Sequence, residues 1–288
     1  MDIKKVAVAG AGLMGCQIAL NTAIHGFDVN LTDNSSDAIM KAKNWADGYL
    51  DERIAKGKMT REQTDETRAR FHLIGDLKTA VADIDLVIEA IVEVEDIKMN
   101  FFKELDGYIN KDTIIATNSS RLVSSTFKDC VSNPSRLANL HYFHPALVMK
   151  LVEVVQGEHC SDETIKALMD FCVKTNKAPI HLRKEIDGFL VNRILGAIEK
   201  EAWYLISEGV CTYKEYDMGQ ELGLNHPMGI FRMIDFTGVD LAYNQKQRAC
   251  ELSGVKDISY EVLKEMYDKG ELGVKTGKGF YDYPDNKK

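Results

Sequence analysis

Two histidines, His141 and His144, stand three residues apart in HYFHP at residues 141–145. By type they could ligate a metal, form a catalytic base with its neighbour, or lie inert in a core, and the five residues alone do not decide. Glu153, twelve residues after His141, sits within KLVEVVQ, a run that is otherwise mostly apolar. A carboxylate buried in such a run is costly unless it is paired. It therefore calls for a partner, or else it lies on an edge strand facing water. A histidine base would suit removal of a hydroxyl proton, because imidazole titrates near neutrality. A metal centre is not expected. An i, i+3 pair on a strand points to opposite sides, His144 adjoins Pro145, and no third or fourth ligand with a suitable signature is evident.

The second constellation is Gly10-Ala11-Gly12-Leu13-Met14-Gly15, which matches G-x-G-x-x-G. Alone the pattern is weak. Here it follows a short β-branched run and opens a helical pattern, and Asp33 closes the next strand 23 residues after Gly10. In that context Gly10 permits the tight turn, Gly12 lets a pyrophosphate approach the backbone, and Gly15 lets helix and strand pack closely. The helix N-terminus offers N–H groups to phosphates, and Leu13 and Met14 lie within this cofactor-contacting loop. Asp33 can accept from both adenosine ribose hydroxyls but would repel a 2′-phosphate. Asn34, Ser35 and Ser36 follow it, with no arginine, so NAD is expected over NADP.

These residues need a frame to hold them. Strand-like runs at 84–91, 113–119, 136–143 and 150–156 alternate with helices at about 95–107 and 161–175, and KAPIHLR could be one more strand. The alternation argues an α/β, Rossmann-like parallel sheet with helices on both faces. Residues 36–72 read as a helical hairpin projecting from it. From Leu190 to Met266 the pattern is helical, so a boundary is placed near Asp187–Gly188. The expected domains are 1–187, nucleotide-binding, and 188–288, all-α.

The 288 residues carry a net charge of −8, which makes nucleic acid a poor partner. The uncharged stretch Val6–Phe27 contains too many glycines and polar residues to span a membrane. Six scattered cysteines without a CxxC pair fit reduced thiols in the cytoplasm.

Five motifs then occur in order: ATNSSRL, HYFHPALVMKLVEVV, DGFLVNRI, NHPMG and LGVKTGKGFYDY. Together they make the chain resemble the L-3-hydroxyacyl-CoA dehydrogenase family, especially its bacterial 3-hydroxybutyryl-CoA members, from about Lys4 to Tyr283. The resemblance implies NAD-dependent oxidation of a short-chain L-3-hydroxyacyl-CoA to the 3-ketoacyl-CoA, and the reverse. It also implies a homodimer formed through the C-terminal domain. The catalytic histidine falls on His141, its partner glutamate on Glu153, and the family serine and asparagine on Ser120 and Asn192. Cofactor contacts fall on Glu93, Lys98, Ser120 and Lys275, with His144 a neighbour on that side. Lys56 matches a lysine that meets CoA, and Arg53 and Lys58 lie close enough in sequence to help with phosphates.

Four positions depart from the family pattern. Arg121 replaces a serine, His144 the asparagine of the HFFNP motif, Trp45 a small residue, and Tyr49 a serine that often contacts CoA. They leave the reaction class intact and bear on the substrate. The alternatives are a dehydrogenase of a free 3-hydroxy acid, like the L-gulonate or carnitine enzymes, or a redox-inactive NAD-binding structural protein.

Overall fold

Lys5–Ala9 (β1) is the β-branched run that meets the glycine loop, and four of its five residues are fully or nearly buried. The structure is a computed structural model in which residues 2–283 are described; Met1 and residues 284–288, the outer ends of the two expected domains, lie outside the described residues. Helix α1 (Leu13–Ile24) follows, then β2 (Asp28–Thr32), closing the βαβ unit. On α1, Ile18, Ala19, Thr22 and Ala23 are fully buried, as their shared face requires.

Two helices, α2 (Ser36–Ala55) and α3 (Arg61–Arg70), form the hairpin. Each starts where a hydroxyl satisfies free amides: Ser35 accepts from the Ala38 amide, and Thr60 with Gln63 makes a reciprocal capping box. Ala46 and Leu50 in the middle and distal part of α2 pack on Leu20 of α1 and hold the hairpin against it.

The chain then re-enters the sheet as β3 (Phe71–Leu73), followed by α4 (Leu77–Ala80), β4 (Leu86–Glu89), α5 (Glu95–Asp106), β5 (Ile114–Thr117), β6 (Leu137–Tyr142), β7 (Leu151–Val155), α6 (Asp162–Lys174) and β8 (Ala178–Leu182). The eight strands lie in the order β3-β2-β1-β4-β5-β6-β7-β8. Two features differ from the sequence reading. Phe71 and His72, expected at the end of the helical hairpin, belong to β3, paired parallel to β2. The sheet is also not wholly parallel, because β7 runs antiparallel to β6. Only residues 143–150 join those two strands, too few for the crossover that parallel pairing needs.

Residues 2–190 and 191–283 form two compact units. The second is helical: α7 (Val191–Ser207), α8 (Tyr213–Met218), a π-turn at Gly219–Gly223, α9 (Ile230–Thr237), α10 (Val239–Ser253) and α11 (Ile258–Asp268). Its core gathers Trp203, Phe231, Ile234, Leu263 and Phe280. Asp235 and Asp217 tie the glycine-rich tail to it. Asp235 accepts from the Phe280 and Tyr281 amides at 2.9 Å each, and Asp217 accepts from the Tyr281 hydroxyl at 2.9 Å. Among the described residues no helix is long and apolar enough to cross a membrane.

Candidate active site

The antiparallel turn from β6 to β7 builds the centre of the site. It places His141 directly opposite Glu153 in the strand register. The imidazole Nδ1 lies 2.7 Å from Glu153 Oε2. An ionised carboxylate can only accept, so Nδ1 carries the proton and Nε2 presents a lone pair. Glu153 is completely buried on an interior strand, and its other oxygen accepts from the Leu190 amide at 3.0 Å. Phe143 and Phe189 flank the imidazole, with ring centroids 4.6 and 5.5 Å away.

Ser120 is partly exposed in the segment that leaves β5. Side chains on or next to the strands hold the surrounding segments in place. Asn139 of β6 accepts from the Ser124 amide at 2.7 Å and donates to the Leu122 carbonyl at 3.0 Å. Asn118 accepts from the Tyr142 amide at 2.9 Å. Lys177 donates to the Met149 carbonyl at 2.9 Å and also to the Ala146 carbonyl, fixing the loop after His141. Burial, and then the neighbouring Lys150 ammonium, push the Lys177 pKa below its ordinary value. Sequence reasoning missed Asn118, Asn139 and Lys177. The run TNKAP at 175–179 offers no charge pattern that separates Lys177 from a surface lysine.

The glycine loop fits a dinucleotide. A Cβ on Gly15 would lie 1.9 Å from the Gly10 carbonyl oxygen, so helix and turn touch there. Gly10 has φ +106°, a conformation that glycine alone adopts readily. A Cβ on Gly12 would meet no protein atom, so its freedom serves the approach of something outside the chain. Leu13 is exposed and Met14 half-buried beside it. Asp33 stands next to this loop: its Oδ2 accepts from the Ala11 amide at 2.7 Å and its Oδ1 from the Ser35 amide at 2.8 Å. A carboxylate so oriented at the end of β2 suits a ribose diol. The residues present therefore fit NAD.

Glu93 and Lys98 are brought together, but not as two free surface charges. Lys98 is buried at 1% exposure, with Nζ on Glu89 and 3.2 Å from Glu93. Glu93 also accepts from the Ser119 hydroxyl. His144 is exposed just after β6. Arg121 is exposed as well.

On the hairpin, Trp45 and Tyr49 stack with centroids 5.6 Å apart, and the Arg53 guanidinium lies 5.8 Å from the Tyr49 ring. Tyr49, Arg53 and Lys58 line a cleft of about 300 Å³ together with His25, Lys150 and Lys177, and no carboxylate is among its lining residues. Lys56 is exposed and paired with Glu52. In the second unit, Asn192 sits in the first turn of α7, and Lys275 pairs with Asp240. No group of three or more His, Cys, Asp or Glu side chains among the described residues is arranged to hold a metal ion.

Comparison with known proteins gives the family. The family model for the 3-hydroxyacyl-CoA dehydrogenase NAD-binding domain matches residues 5–186, and that for its C-terminal domain matches residues 188–283. The chain is 35% identical to a 3-hydroxybutyryl-CoA dehydrogenase of Bradyrhizobium diazoefficiens over 285 residues, covering 98% of this chain and 96% of that protein. It is 35% identical to the 3-hydroxybutyryl-CoA dehydrogenase of Clostridioides difficile over 280 residues, covering 97% and 99%. The crystal structure of the (S)-3-hydroxybutyryl-CoA dehydrogenase of Ralstonia eutropha is similar with a TM-score of 0.85 at 33% identity, covering 98% of this chain and 99% of that one.

Proposed function

The chain belongs to the 3-hydroxyacyl-CoA dehydrogenase family, and from that premise we propose that it interconverts a short-chain L-3-hydroxyacyl-CoA, such as 3-hydroxybutyryl-CoA, and the matching 3-ketoacyl-CoA with NAD. The observation that carries this reading is the buried His141–Glu153 pair, oriented for proton removal beside a dinucleotide-binding fold. When bound, NAD would supply the acceptor for the hydride that leaves the substrate carbon. Nε2 of His141 takes the hydroxyl proton in oxidation and returns it in reduction. Glu153 holds the ring in the tautomer that leaves Nε2 free and stabilises the imidazolium that forms. Ser120 and Asn192 are assigned hydrogen bonds to the substrate oxygen or the thioester carbonyl. Gly10, Gly12, Leu13, Met14, Gly15, Asp33, Glu93, His144 and Lys275 are assigned to the cofactor, and Lys98, buried at 1% exposure, is assigned to act on it through Glu93.

The cationic cleft supports CoA as the carrier of the acyl group. In a chain of net charge −8, a cleft lined by Arg53, Lys58, Lys150 and Lys177 without a carboxylate is suited to phosphates. A free 3-hydroxy acid, with its single carboxylate, would engage fewer of these cations than the several phosphates of CoA. Tyr49 and Lys56 belong to this CoA side. We assign residues 1–187 to cofactor binding and 188–288 to substrate contacts and dimerisation. Exposed Leu222, Phe236 and Leu241 on the helical unit, the first at 79%, support a homodimer. We assign the enzyme to the cytoplasm, in support of which all six cysteines are free. Burial pushes the thiols of Cys16, Cys160 and Cys172 up to about 12, which disfavours their thiolates.

The test is to follow NADH absorbance with acetoacetyl-CoA, free acetoacetate and L-gulonate, the last with NAD. Turnover with the thioester at a kcat/KM far above both free acids is expected. Faster turnover of either free acid, or none of any, would overturn the reading.

A further inference from the structure

Glu89 closes β4 and is completely buried, yet no step of the mechanism uses it. Its Oε1 accepts from the Ile91 amide at 2.8 Å and from the Lys98 ammonium, and its Oε2 accepts from the Thr117 hydroxyl at 2.6 Å. The parallel register places Glu89 directly beside Thr117 on β5. Lys98, from α5, spans Glu89 and Glu93.

From Glu93 the chain of contacts turns toward the catalytic segment. Glu93 Oε1 accepts from the Ser119 hydroxyl, and Ser119 Oγ accepts from the Leu122 amide at 2.8 Å and the Arg121 amide at 3.3 Å. Ser119 thus pins the backbone on the far side of Ser120 while its own amide donates to Thr117 Oγ1 at 3.2 Å. The network runs without a break from Glu89 through Lys98 and Glu93 to the residues on either side of Ser120. Glu89, Lys98, Thr117 and Ser119 are all at or below 2% exposure, whereas the Glu93 side chain is 39% exposed. Glu93 is the point at which a bound ligand can reach the network.

Stability alone does not account for this arrangement. A fully buried ion pair costs several kcal/mol of desolvation per ion, and a well-packed apolar pair of similar volume is commonly as stable or more so. What a connected buried polar network supplies is a fixed geometry, because its members hold one another to particular partners.

We propose that Glu89 and Ser119 are positioning residues that tie the cofactor-side pair Lys98 and Glu93 to the Ser120 segment, so that cofactor and thioester bind with positive coupling. A cofactor hydroxyl donating to Glu93 fixes that carboxylate. The fixed carboxylate fixes Ser119, and Ser119 fixes the backbone amides flanking Ser120. The ordering of the substrate-side serine is then complete before the thioester arrives. The proposal rests on the cofactor and substrate assignments made above.

The experiment measures NADH affinity by fluorescence titration with and without saturating 3-hydroxybutyryl-CoA, a pair that cannot react, in wild type, Ser119→Ala, Thr117→Val and Glu89→Gln. In wild type the thioester should tighten NADH binding by about tenfold, within the usual span of coupling between two sites. In the variants the effect should fall to about twofold or less. Thr117→Val and Ser119→Ala carry the test if Glu89→Gln, which leaves a buried ammonium half-paired, does not fold. Absence of coupling in wild type overturns the proposal. So does a lower melting temperature with coupling intact in the variants, which is what a merely structural role would produce. If wild type turns over 3-hydroxybutyryl-CoA while the variants keep full coupling, the network proposal fails and the enzymatic reading stands. If no thioester binds or reacts, both fail.

Discussion

His141 and Glu153 lie opposite each other on neighbouring antiparallel strands, with Nδ1 2.7 Å from Oε2. The other carboxylate oxygen holds the Leu190 amide at 3.0 Å, so one buried side chain sets both the imidazole tautomer and the backbone at the end of the first unit. Replacing His141 by Gln removes the proton acceptor and should lower kcat by about 10²–10⁴-fold, the usual worth of a general base. Glu153→Gln keeps an acceptor oxygen but loses the charge, and should cost less. Stopped-flow measurement of NADH formation from 3-hydroxybutyryl-CoA checks both. Near-normal turnover in His141→Gln would remove it from the mechanism.

Asp33 accepts from two backbone amides and faces the glycine loop. Asp33→Ala should raise KM for NAD and relax discrimination against NADP, because the ribose acceptor and the charge that repels a 2′-phosphate disappear together. The readout is the ratio of kcat/KM for the two cofactors. A wild-type preference for NADP would end the argument.

How much of this was legible in the chain differs from element to element. The βαβ unit could be read because Val6–Ala9, the glycines and Asp33 each make a local demand on the backbone. β3 could not, since three residues at the end of the charged helix α3 carry no period of their own. The direction of β7 follows from a short connection rather than from composition. The partnership of His141 with Glu153 depends on the register that this direction sets. Their residue types were visible, and the family resemblance named the pair, but twelve residues of spacing did not. Glu89 stayed hidden for the same reason, and Lys98, which the family resemblance named as a cofactor contact, gave no sign of being its partner: a glutamate closing a strand and a lysine on the next helix look like ordinary surface charges until the fold buries both.

Arg53 and Lys58 line the cationic cleft beside Tyr49. Neutralising both with Gln should raise KM for a CoA thioester by about tenfold or more, since hydrogen bonds to charged groups are worth roughly 1.5–3 kcal/mol. Turnover should stay unchanged, because these contacts are equal in the ground and transition states. The pantetheine thioester, which lacks the nucleotide phosphates, should show no change. Steady-state kinetics with the two thioesters is the check, and an equal rise in KM for both would mean that the cleft does not read phosphate.

His159 gives the acid side of the stability curve. Its ring is half-buried, with Nε2 3.1 Å from the Leu137 carbonyl oxygen and 3.4 Å from Ser124 Oγ. Burial lowers its pKa below the ordinary 6.5, outweighing the opposing pull of the Glu185 carboxylate and the Leu137 carbonyl. In the unfolded chain the ring gains its proton near the ordinary value, while in the folded chain it resists until lower pH. The unfolded state therefore binds more protons in that window, and stability falls with pH there. The contribution is complete above the unfolded value of 6.5 and is lost as pH drops through the lower folded value. Replacement by Gln supplies an amide that does not titrate. Melting temperatures of wild type and His159→Gln, measured from neutral to mildly acidic pH, should therefore converge or cross as pH falls, with the steeper loss in wild type. Parallel curves would show that His159 stays neutral in both states or protonates equally in both, and that its burial has no bearing on acid stability.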